Sequence, residues 1–219
     1  MRRAVLLVVL SLAGVALGAG VAGAVEPDPG KALVARLLVA ASKHDAKGIW
    51  NLLSSPSQHR LGPTFAAFKA STAARIENAL VPFENRAVTP FISQNLTDRF
   101  GIVAIRSGVR ALAFPLRRDH DAWKIETPGP LQMQILGPQP GSRGRVVQIA
   151  FEAKAPAPIG DGVIFVDGKL YRPNLAPSGN KATIYVTLPK RLRRGVHIAV
   201  AYAEQGSNVS AVAWTFSAT

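Results

Sequence analysis

The sequence predicts an α+β cone, helices packed on a curved antiparallel sheet, followed by a separate all-β sandwich. Three observations predict it. Apolar residues recur at helical spacing up to about residue 80, and the period changes to two after Pro82. Beyond a break at Pro128-Gly129-Pro130, short alternating runs follow one another with turns at regular spacing. The α+β unit is thereby assigned to residues 25–128 and the sandwich to 131–219.

Residues 1–24 are set apart as a secretory signal. Met1-Arg2-Arg3 is a basic start, the apolar run that follows is broken only by Ser11 and Gly14 up to Leu17, and Ala22-Gly23-Ala24 is a small-residue cleavage pattern. The sequence therefore predicts an exported protein: periplasmic, extracellular or attached to the cell surface. The rival reading is an uncleaved anchor, since the apolar stretch is long enough to span a bilayer as a helix. Its glycines make it a weak one.

The chain of 219 residues has no cysteine, so its stability rests on packed cores rather than disulfides. A hydrophobic content of 48% and a mean hydropathy of +0.17 are in keeping with a folded, core-burying chain. The formal charge is +13, and the excess is spread along the chain: residues 25–128 carry fourteen Lys/Arg against nine Asp/Glu, and 129–219 carry ten against four. Such a balance attracts anionic surfaces such as membranes or wall polymers. Export makes nucleic acid the least suitable of these partners, and none is expected.

The helical part begins with Leu33, Val34, Leu37, Leu38 and Ala41, one apolar stripe. Asp45 is the expected N-cap of a short helix carrying Ile49, Trp50, Leu52 and Leu53. Ser54-Ser55-Pro56-Ser57 stops or restarts the helix, and Thr64 caps a third one bearing Phe65 and Phe68. Strands are expected at 91–96, 100–106, 109–116 and 122–126, with turns at Ser107-Gly108 and Asp119-His120-Asp121. In the sandwich, Asp167-Gly168 is a two-residue hairpin signal. The runs 184–188, 196–202 and 212–216 each alternate. Six or seven such strands in about ninety residues describe a two-sheet sandwich.

Both halves have a known counterpart. The apolar first helix, His44-Asp45-Ala46-Lys47-Gly48-Ile49-Trp50-Asn51-Leu52-Leu53, Gly62-Pro63-Thr64-Phe65 and Ala122-Trp123-Lys124-Ile125 resemble the nuclear-transport-factor-2-like superfamily, in particular its exported bacterial members. Ile135-Leu136-Gly137-Pro138, Phe165-Val166-Asp167-Gly168-Lys169, Gly195-Val196-His197 and Ala213-Trp214-Thr215-Phe216 resemble a bacterial immunoglobulin-like sandwich. The first resemblance implies a cone that often stays open between helices and sheet. The second implies that the Gly-x-His and W-T-F strands face each other in the core. Copper-binding periplasmic sandwiches share this outline, but the histidines their site requires have no counterpart here.

No motif names a reaction. The nucleophile-elbow, phosphate-loop and dinucleotide patterns do not occur. Four scattered histidines without cysteine give no metal-ligand spacing, so neither a metal nor a cofactor is expected. Asp119-His120-Asp121 pairs carboxylates with an imidazole, yet as a turn it is expected to face solvent. His197 is out of phase with Val196, Ile198, Val200 and Tyr202 and is expected to do the same. The candidate ligand-binding residues lie in the cone interior: Phe65, Phe68, Phe91, Phe100 and Phe114, joined by Ile76 and Ile102, with Arg106 as a polar anchor. Lys190, Arg191, Arg193 and Arg194 are the candidate contacts to an anionic surface. These features predict a non-catalytic binding or interaction protein of the cell envelope, able to hold a small apolar ligand or a protein partner. The alternative is a cone-fold enzyme acting on a small hydrophobic substrate.

Overall fold

The structure, a computed structural model, describes residues 28–84 and 89–219, so the signal assigned to 1–24 lies outside the described residues. Five helices come first: α1 (Pro29–Ser42), α2 (Ala46–Leu52), α3 (Ser55–Leu61), α4 (Phe65–Ser71) and α5 (Ala73–Glu84). Four strands follow, β1 (Thr89–Asn95), β2 (Phe100–Ser107), β3 (Arg110–Asp119) and β4 (Ala122–Ile125). The sandwich holds β5 (Gln132–Gly137), β6 (Arg143–Gly144), β7 (Gln148–Lys154), β8 (Asp161–Val166), β9 (Lys169–Tyr171), β10 (Asn174–Ser178), β11 (Lys181–Thr187), β12 (Gly195–Gln205) and β13 (Asn208–Ala218). No helix among the described residues is long and apolar enough to cross a membrane.

Local chemistry sets most helix starts. Asp28 caps α1 by accepting from Gly30 N at 3.1 Å and Lys31 N at 3.3 Å, and it also accepts from Ser93 Oγ, which ties the helix start to β1. Gly30 is required there. A Cβ at this position would stand 2.3 Å from Ser93 Oγ and 3.1 Å from Val103 Cβ. Asp45 caps α2 through Gly48 N at 2.8 Å, Ser54 caps α3 through Ser57 N at 3.2 Å, and Thr64 caps α4 through Ala67 N at 3.2 Å. The Ser/Pro stretch thus restarts a helix rather than ending one. Pro56 stands in the first turn of α3, where the missing N–H costs nothing.

The four strands β1 to β4 form an antiparallel meander, and its two faces bury different things. Val103, Ile105, Leu116 and Ile125 point to the helices and join Leu33, Leu37, Ile49, Leu53 and Phe68 in one core. Ile92, Phe100, Ile102 and Ala104 point the other way. They meet Phe165, Ile198, Val200, Tyr202 and Val209 of the sandwich in a second core. The sandwich encloses a third core between its own sheets, around Phe151, Ile164, Ile184, Trp214 and Phe216. The molecule is therefore four layers deep: helices, the meander, a five-stranded sheet and a four-stranded sheet.

The sandwich sheets run β10-β11-β7-β5 and β6-β13-β12-β8-β9, with β6 parallel to β13 and the other pairings antiparallel. With strands lettered in chain order, these are D-E-B-A and A′-G-F-C-C′, an immunoglobulin-type arrangement. The Asp167-Gly168 hairpin forms as the sequence predicts, with φ of 50° and 81°.

This layering corrects the expectation for His197, which is buried. The alternation along β12 is as the sequence predicts, but every residue from His197 to Ala203 is buried, on both faces. Ile198, Val200 and Tyr202 face the meander, whereas Ala199, Ala201 and Ala203 face the sandwich interior. His197 stacks on Phe216, its cross-strand partner, with ring centroids 5.7 Å apart. Its Nδ1 lies 2.7 Å from Asp167 Oδ2 and its Nε2 lies 2.6 Å from the Arg193 carbonyl oxygen.

Candidate functional site

The helices leave one part of the meander uncovered. Between α5, the end of α3 and strands β3 and β4 lies a cleft of about 620 Å³. That is within the range of ~300–1,000 Å³ typical of small-molecule sites. Leu61, Ile76, Ala79, Leu80, Leu112, Phe114, Pro115 and Ile125 make its wall mostly apolar. Leu112 and Phe114 are on the helix-facing side of β3 yet only half buried, because α5 stands off from them here.

The polar end is built by α3 and the chain just after β4. Leu53 makes a parallel bridge to Ile125, and Ser54 N donates to Ile125 O at 2.9 Å, which lays the start of α3 along the end of β4. Ser54, Ser57 and Arg60 are three residues apart and so lie on one helical face. That face delivers three donors to Glu126. Ser54 Oγ donates to Oε2 at 2.7 Å, Ser57 Oγ to Oε1 at 3.0 Å, and Arg60 Nη2 to Oε1. Arg117 Nε supplies a fourth donor, to Oε2.

Glu126 is 2% exposed, so its charge is out of water. Burial alone would push its carboxyl up. The hydrogen bonds from Ser54, Arg60 and Arg117, together with the charge of Arg117, outweigh it and hold the carboxyl below the usual carboxylate range. Arg117 also joins the two halves of the chain. Its Nη2 donates to the Ser207 carbonyl, and its guanidinium carbon lies 4.9 Å from the centre of the Phe100 ring.

The rest of the polar end is less committed. Arg60 Nη2 further donates to the Thr127 carbonyl at 2.7 Å, and Thr127 N donates to Ser57 Oγ at 2.8 Å. Thr127 Oγ1 is buried without a hydrogen-bond partner among the described residues. Arg75, on α5, lines the same cleft with its side chain exposed.

Of the residues expected in the interior of a cone, Phe114 and Ile76 line this cleft. The others are elsewhere, each for a physical reason. Phe68 is fully buried in the helical core against Trp50, ring centroids 5.0 Å apart, and Phe65 packs edge-on to the same indole at 6.2 Å. Phe100 and Ile102 occupy the strand positions that face the sandwich. Arg106 is exposed and donates from Nε to the Gly108 carbonyl at 2.8 Å inside its own hairpin turn. The side chain of Phe91 lies outside the described ones. Lys190, Arg191, Arg193 and Arg194 are all exposed on the loop before β12. Arg191 Nη2 donates to the Thr219 carbonyl at 2.9 Å.

The Asp119-His120-Asp121 turn is split by the structure. His120 and Asp121 are exposed, whereas Asp119 Oδ2 accepts from Ser55 N at 2.6 Å and braces the start of α3. Burial would raise the Asp119 carboxyl, but the Ser55 hydrogen bonds and His120 keep it low. No group of three or more potential metal ligands occurs among the described residues.

No family model matches the chain, and no curated protein does. Among solved structures, similar chains include an endo-β-1,4-mannanase from Thermotoga petrophila, 6% identical, with a TM-score of 0.33 over 41% of this chain and 20% of that one. A titin immunoglobulin tandem is 7% identical, with a TM-score of 0.26 over 55% of this chain and 62% of that one. The N-terminal immunoglobulin domains of Dscam1 are 12% identical, with a TM-score of 0.26 over 60% and 36%. The chain spans about a fifth of the mannanase's length. Scores this low carry no argument about family or activity.

Proposed function

We propose that this chain is an exported, non-catalytic binding protein of the bacterial cell envelope. In this reading the α+β half is a nuclear-transport-factor-2-like cone that holds a small apolar ligand in the cleft beside α5. The immunoglobulin-like sandwich is its mount, and the exposed basic loop at Lys190, Arg191, Arg193 and Arg194 contacts an anionic surface or an acidic partner.

One observation carries the reading: the cleft wall is mostly apolar and its single acidic lining residue is saturated. A general base that works near neutrality needs a raised carboxylate and a lone pair free to take a proton. Glu126 has the opposite properties, with four donors on its two oxygens and a lowered carboxyl. That favours holding a ligand over transforming one.

Native mass spectrometry of the protein, purified gently from a related bacterial host, tests the proposal. The expected result is a reproducible extra mass, lost on denaturation, that corresponds to an apolar small molecule. Turnover of a small hydrophobic substrate that stops on substitution of Glu126 in a still-folded protein would overturn the non-catalytic reading.

A further inference from the structure

The cleft has more polar equipment than an apolar ligand needs. Arg75 lines it, and its side chain makes no ion pair or hydrogen bond among the described residues. Beneath its wall the Thr127 hydroxyl is buried without a hydrogen-bond partner among the described residues. A buried polar atom left unpaired is rare enough in folded proteins to need a reason. Arg60 reaches the same place. Its Nη2 is engaged with Ser57, Glu126 and the Thr127 carbonyl, while its Nε and Nη1 make no hydrogen bond among the described residues. Counting Glu126 against Arg60 and Arg75, this end of the cleft is net positive.

We infer that the ligand is an amphiphilic anion, an apolar body with a carboxylate or phosphate head placed between Arg75 and Arg60. The inference rests on the reading that the cleft holds a ligand, and it adds the chemical class. A planar guanidinium pairs well with either kind of oxyanion. The apolar lining takes the body, and the head replaces water at the arginines. A neutral ligand of the same length would leave those donors without the charge they are placed to meet.

Calorimetric titration of the full chain with dodecanoate, dodecyl phosphate and dodecan-1-ol tests this, repeated on Arg75→Gln. Arg75 is exposed, so the variant is expected to fold, which thermal unfolding checks. The expected result is that at least one anion binds about tenfold or more tighter than the alcohol, the size of one charge-assisted hydrogen bond. Which anion gains identifies the head. Arg75→Gln should remove most of that preference. Equal binding of anion and alcohol would overturn the anionic head and leave the cleft as an apolar site. A preference for anions that Arg75→Gln leaves undiminished would overturn it too, since it would come from the basic surface at large. Binding of none of the three would overturn the cleft reading itself, and this inference with it.

Discussion

Glutamine in place of Glu126 is expected to destabilise the fold by about 3–5 kcal/mol, the usual cost of removing one partner from a buried ion pair. The side chain keeps its size, so packing is nearly unchanged. What is lost is the charge that lets Arg117, with a side chain only 10% exposed, stay out of water. The amide nitrogen of glutamine would also face two of the four donors, because each carboxylate oxygen accepts from two of them. Chemical denaturation of wild type and variant measures the cost directly, and a loss below about 1 kcal/mol, the range of an exposed ion pair, would contradict it.

The same network sets an acid limit. Glu126 has a folded carboxyl below its ordinary value of 4.5, so its contribution is fully present above that value and disappears as pH falls through the lower folded value. Asp119 acts in the same direction from 3.8. Stability should therefore drop in acid for the wild type, and the Glu126→Gln variant should show less of that drop.

Alanine in place of Phe100 is expected to cost a similar amount, about 3–5 kcal/mol. The ring is 2% exposed, packed between the meander and the sandwich, with the Arg117 guanidinium over it. Its removal leaves a cavity in a core that both halves of the chain share. Because that core joins them, wild-type unfolding should follow a single transition when near-ultraviolet and far-ultraviolet signals are compared, and the variant should shift the whole of it. Two separate transitions in the wild type, or a loss confined to one half, would contradict the shared core.

The contrast between what the sequence predicts and what it misses follows the range of the interactions. Asp45 and Thr64 are legible as caps because each bonds a backbone N–H three residues on. Asp167-Gly168 is legible because the turn needs two residues in left-handed conformation and nothing else. The strands of the meander and of β12 are legible as alternating, but not which face meets water. Phe100 and His197 were both placed on the wrong side by the same assumption, that one face of each sheet is open. The five-stranded sheet and the meander in fact cover each other.

The polar end of the cleft was not legible at all. Glu126 is separated from Ser54, Ser57 and Arg60 by 72, 69 and 66 residues, so no local pattern couples them. One signal was present: an acid directly after Ile125, before a Pro-Gly-Pro break, with two serines and an arginine three apart on a helix restart elsewhere. That combination suggests a helix face built to meet something negative, though it does not say what.

The most direct test of the central claim uses the cleft itself. Ala79 lines it from the exposed side of α5, so Ala79→Trp should fill the cleft with little cost to folding. N-phenyl-1-naphthylamine, a neutral apolar dye that brightens out of water, is titrated into both proteins after their thermal unfolding is shown to match. The account predicts saturable brightening in the wild type that is lost in Ala79→Trp. Equal brightening in the two proteins, or none in either, would contradict it.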